Sequence, residues 1–191
     1  MSMPSIKLNC KKCDFESNTR ILWGGPNYFT ADVELPIEKK LGWCKSCDSF
    51  APIESFEHQK AVTTELDSLS TKLMTLQKRS LVRRIFIPAR KEYKNIVKQI
   101  YTLSKTLSLI NQRKGTEKCL TCGSANVFIP EGDFSQKATF GEVSRQGFIN
   151  TGFIHPSCGG EIITSQDPLR ISANFITQLY DTNGMLLAEK I

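Results

Sequence analysis

The chain has 191 residues, 40% hydrophobic and 23% charged, with seven cysteines, two histidines and a formal net charge of +6. This is ordinary globular composition with no apolar run long enough to cross a bilayer, and the opening MSMPSIKLNCKK lacks the apolar core of an export signal. A secreted disulfide framework and membrane insertion are thereby disfavoured, and reduced thiols in a cytoplasmic setting are expected.

Residues 1–53 read as a first metal module. Cys10 and Cys13, then Cys44 and Cys47, form two Cys-x2-Cys turns with 30 residues between them. Such a turn aims two sulfurs at one ion, and two turns supply the four ligands of a tetrahedral Zn2+. Trp23, Tyr28, Phe29 and Trp43 offer aromatic side chains for a small core around them.

Residues 54–114 change character. Cysteine disappears and a helical period takes over, with Val62, Leu66, Leu69, Leu73 and Leu76 as one apolar seam. Tyr93, Ile96, Ile100, Leu103, Leu107 and Ile110 form a second. Steps of three and four are those of short heptad seams, so an antiparallel coiled-coil hairpin is expected. Pro88 ends one helix or opens the next, and Gly115 lies just past the second exit. Dimerisation through this hairpin stays open.

Residues 115–191 bring Cys119-x2-Cys122 and, 32 residues later, His155-x2-Cys158. Counting His155, the seven cysteines become eight ligands for two sites. One is a four-cysteine set (Cys10, Cys13, Cys44, Cys47), the other a set of three cysteines and a histidine (Cys119, Cys122, His155, Cys158). The residue after each second ligand favours positive φ, which Asp14, Asp48, Gly123 and Gly159 all tolerate. Two Zn2+ are expected. Iron at the four-cysteine site is the weaker alternative, because Asp14 and Asp48 stand where rubredoxin-type turns carry glycine. Farther on, DTNG at 181–184 signals a hairpin that extends the sheet of the second module.

The spacing and turn residues resemble the zinc-ribbon superfamily over residues 6–51 and 116–165. The resemblance implies short antiparallel strands with ligands on opposed hairpins, and it implies no particular function. The expected fold class is α+β, with two small antiparallel β zinc ribbons flanking an antiparallel α-helical hairpin.

The charge is concentrated. Residues 78–114 carry 11 positive side chains and one negative. Lys78, Arg79, Arg83, Arg84, Arg90, Lys91, Lys94 and Lys98 cluster there, with Phe86 in an apolar wedge beside the arginines. Nucleic acid is the expected partner, with cations on phosphates and Phe86 stacked on a base. The alternative is an adaptor whose tip docks an acidic protein surface or a second copy of itself. No P-loop, G-x-S-x-G, HExxH or zinc-deaminase signature is present, and both expected metal sites are closed by four ligands, so no enzyme is expected.

Overall fold

Strand β1 (Ser2–Cys10) pairs antiparallel with β9 (Glu161–Ser172) from Ser2↔Ser172 to Cys10↔Ile162, with a bulge between Pro4 and Ser5. This long pairing joins opposite ends of the chain and organises the computed structural model, which describes residues 2–30, 33–78, 87–130, 147–172 and 176–190. β2 (Glu16–Asn18) and β8 (Phe148–Ile154) flank the pair, giving the order β2-β1-β9-β8. Alternation explains the burial: Ile6 and Leu8 point into the core, and Cys10 shares their face.

A second sheet combines β3 (Gly25–Phe29), β4 (Glu34–Pro36), β10 (Thr177–Tyr180) and β11 (Leu186–Lys190) in the order β11-β10-β3-β4. β3 and β10 run parallel. The third sheet, β6 (Ser49–Ser55), β5 (Glu38–Cys44) and β7 (Val127–Phe128), is covered on both sides. On one side Leu41, Trp43 and Phe50 pack with Leu8, Phe153 and Ile162 of the first sheet. On the other, Cys44, Ala51 and Ile53 pack with Cys119.

Two helices connect β6 to residues 119–122: α1 (Gln59–Lys78) and α2 (Ile87–Arg113). They run in opposite directions, since Gln59 bonds Asn111 at one end and Lys72 pairs with Glu92 at the other. The apolar period sets the contact: Val62, Leu76, Ile96 and Ile110 are buried, whereas Tyr93 stays 40% exposed. Pro88 sits in the first turn of α2, where its missing N–H costs no helical bond.

Among the described residues the chain is thus mostly β, with three sheets and two helices. The expected hairpin flanked by two small ribbons is overturned. Periodicity read along the chain assumes that neighbouring hairpins pair with each other, but β1 finds β9 and β3 finds β10. The expected turn at 181–184 does form between β10 and β11, with Gly184 at φ 86°. Its hairpin adds to β3 rather than to the sheet holding β8 and β9.

Candidate metal centres

Each ligand turn is fixed by its own backbone. Cys10 ends β1, and the Lys12 N–H donates to its Sγ at 3.4 Å. In the turn between β8 and β9, Gly159 N–H donates to the His155 carbonyl at 2.9 Å, and Gly160 N–H to Cys158 Sγ at 3.4 Å. The Cys119 turn repeats the pattern, with Gly123 N–H on the Cys119 carbonyl at 2.8 Å and Thr121 N–H on Cys119 Sγ at 3.4 Å. Positive φ occurs at Asp48 (47°), Gly123 (72°) and Gly159 (68°), as the turn chemistry anticipates. Among the described residues Asp14 departs from this rule.

The eight ligands assemble into two clusters, with partners other than those expected. Cys10 and Cys13 meet His155 and Cys158, while Cys44 and Cys47 meet Cys119 and Cys122. The two sets are therefore nested. An inner, all-cysteine centre is formed by the second and third turns, and an outer centre, which takes the histidine, by the first and fourth. Near-equal gaps of 30 and 32 residues suggested neighbours, yet sequence distance is a weak constraint. Cys13 and His155 lie 142 positions apart, and closing so long a loop instead of a 30-residue one costs only about 1 kcal/mol more. Strand pairing outweighs that. β1 against β9 delivers the outer turns to each other, and Trp43↔Phe128 with Cys44↔Val127 delivers the inner ones.

Both clusters fit a tetrahedral cation. Bonds of about 2.3 Å to sulfur imply ligand–ligand edges of about 3.8 Å. In the outer centre Cys10 Sγ lies 3.3 Å from Cys158 Sγ, and His155 Nδ1 lies 3.4 Å from Cys13 Sγ. In the inner centre the Cys44–Cys122 and Cys47–Cys119 separations are 3.6 and 3.9 Å. Burial, with Cys44 alongside, pushes the Cys119 thiol up to about 11, so four thiolates can share this space only around a positive charge. Gly160 shows how closely the outer turns approach: a Cβ there would come within 2.5 Å of Cys10 Sγ and 2.6 Å of Lys12 Cβ. The expected metal content is two ions per chain by elemental analysis. A value of one would remove one of the two centres.

The surroundings differ. His155 is 5% exposed and packs against both Phe15 (4.7 Å between ring centroids) and Trp43 (5.3 Å), so the aromatic core holds its imidazole in place. The inner centre is braced by a buried ion pair that no local pattern announced. Glu54 is fully buried; its Oε1 accepts from Arg113 Nη1, and its Oε2 accepts from the Lys118 N–H at 2.9 Å. Arg113 also donates to the Tyr28 hydroxyl at 2.6 Å, with its guanidinium 4.7 Å from that ring's centre. Strand β6, the end of α2 and the Cys119 turn are thereby tied together.

Of the expected basic cluster, Arg79, Arg83, Arg84 and Phe86 lie outside the described residues. Lys78 and Arg90 fall within the helices, but their side chains are likewise outside the description. Lys91, Lys94 and Lys98 are exposed on α2. Glu92, the one carboxylate of α2, is engaged by Lys72 of α1 at 2.9 Å. Among the described residues no helix is long and apolar enough to cross a membrane. Comparison with protein-family models, curated proteins and solved structures gives no match for this chain.

Proposed function

We propose that this chain is a non-enzymatic, zinc-ribbon-like protein held together by two structural Zn2+, and that it binds nucleic acid along α2. Zinc at both centres is favoured by four N/S ligands at tetrahedral spacing, with imidazole in one set. Four protein ligands leave no coordination position for substrate, which supports a structural rather than catalytic role.

The observation that carries the binding reading is the cationic face of α2. Lys91, Lys94, Lys98 and Lys105 all project to solvent, and among the described residues none has a carboxylate partner. A merely solvated helix face would more often interleave both signs as i,i+4 pairs. A like-charged row instead suits phosphates. It also opposes packing of this face on a second copy of itself, which would set lysine against lysine.

The test is an affinity series in salt. Four phosphate contacts imply a slope of log K against log[salt] of about −3, and replacing Lys94 and Lys98 with glutamine should flatten it by about one unit per lysine. Absence of binding at low salt, or binding indifferent to salt, overturns the reading.

A further inference from the structure

We propose that Lys39 is an acyl-acceptor site, whose amine, held by two uncharged oxygens and by no carboxylate, takes an acyl group from an acyl phosphate. Lys39 lies on β5, and its side chain is partly buried. Its Nζ donates to the Trp23 carbonyl at 2.9 Å and to Gln178 Oε1 at 3.0 Å. Gln178 is itself fixed. Its Nε2 donates to Glu189 Oε1 at 2.9 Å across the β10–β11 ladder, and its Oε1 also accepts from the Tyr180 hydroxyl at 3.3 Å. That network turns the amide oxygen, rather than the amide nitrogen, toward Lys39. Among the described residues Lys39 has no carboxylate within ion-pair distance, whereas Lys7, Lys11, Lys40, Lys72 and Lys190 each have one. Glu189 reaches Lys39 only through Gln178. Glu54, opposite Lys39 on β6, is committed to Arg113 and the Lys118 N–H.

A tetrahedral nitrogen bonded to Cε has three remaining positions. The two acceptors satisfy both hydrogens of a neutral amine and leave its lone pair over, whereas an ammonium would carry a third N–H with no partner among the described residues. Burial acts in the same direction: it pushes the Lys39 amine down to about 8, against a weaker opposing pull from Glu189. The neutral form is the nucleophile. Its lone pair adds to the acyl carbon, and the bond from that carbon to the phosphate oxygen breaks with its electron pair. Inorganic phosphate departs, and the amine gives its extra proton to water. The product amide carries no charge, which removes the cost of a desolvated ammonium. It keeps one N–H, enough for only one of the two oxygens, so acylation also loosens the tie between β5, the Trp23 carbonyl and β10.

The experiment treats the full zinc-loaded chain with acetyl phosphate near neutral pH, to less than one acetyl group per chain, and reads each lysine by peptide mass spectrometry. Lys39 should be acetylated about tenfold faster than Lys91, Lys94 and Lys98, although those side chains are more exposed. Its rate should level off above about pH 8 while theirs goes on rising, because its amine is by then already neutral. In the urea-unfolded chain the advantage should vanish. Gln178→Glu sets a carboxylate against the amine and holds it protonated, and should bring Lys39 down to the rate of the exposed lysines. Zinc content and far-UV circular dichroism show that this variant keeps the fold, and the comparisons within the unaltered chain stand without it. Acetylation of Lys39 no faster than of the exposed lysines overturns the proposal. So does an advantage that persists in urea, or indifference to Gln178→Glu in the folded variant.

Discussion

Cys44→Ser combined with Cys119→Ser is expected to leave one zinc per chain, whereas Cys44→Ser combined with Cys13→Ser is expected to leave none. The nested arrangement dictates this, because Cys44 and Cys119 belong to one cluster and Cys13 to the other. Pairing of sequence neighbours would give the opposite result, so elemental analysis of two double variants separates the two ligand schemes. The same pairs form a stability cycle: the second substitution within one centre should add little, and substitutions in different centres should add nearly in full. The effects are large. A structural zinc contributes on the order of 10 kcal/mol to folding, comparable with the whole net stability of a typical domain.

The location of the damage should also differ. The outer turns extend from the long β1–β9 pairing, which holds them together without a cation. The inner turns are joined through the two-residue β5–β7 ladder, the isolated Ile53–Cys119 bridge and a few backbone bonds, among them Leu120 N–H to the Pro52 carbonyl at 2.8 Å. Hydrogen exchange should therefore show protection lost from 116–129 in Cys44→Ser, with the β1–β9 amides less affected in Cys158→Ser.

Arg113→Met is the second large effect, with an expected cost of about 3–5 kcal/mol in chemical denaturation. It strands Glu54, whose carboxylate has no access to solvent and would keep only the Lys118 N–H. Burial pushes the Glu54 carboxyl up, against the pull of Arg113 and that N–H, so removing the guanidinium leaves the desolvation uncompensated. Combining Arg113→Met with Glu54→Leu should recover much of the loss, since two apolar groups need no partners. A double variant as unstable as the sum of the singles would locate the effect in lost packing on Tyr28 instead.

What could be read along the chain was whatever is decided locally. An x2 spacing is a property of four consecutive residues, and all eight ligands it singled out enter the two clusters. The apolar seams likewise mark the faces on which α1 and α2 meet, with Tyr93 departing because it lies at the rim. Pairing of distant segments is a different kind of information. Nothing within KLNC or EIITS names the other as its partner, and the small entropic penalty of long loops lets distant strands compete on equal terms with near ones. Trp43 shows both aspects. Its place in an aromatic core could be anticipated, but it lies beside the His155 ligand of the outer centre while its neighbour Cys44 serves the inner one. Alternation along β5 turns adjacent residues to opposite sides of a sheet, and a list of aromatics does not record sides. Glu54 was illegible for a related reason, since its compensating cation is 59 positions away.

Nesting also sets an order of events during synthesis. The inner centre has all its ligands once Cys122 has left the ribosome, and β5, β6, both helices and β7 can settle around it while the remainder is still being translated. Cys10 and Cys13, although made first, must wait for His155 and Cys158, and β1 must wait for β9. A nascent chain therefore displays a pair of thiols and an unpaired edge of β1 until residues 155–172 have emerged. Of the two centres, the one whose ligands begin to appear first is the last to close.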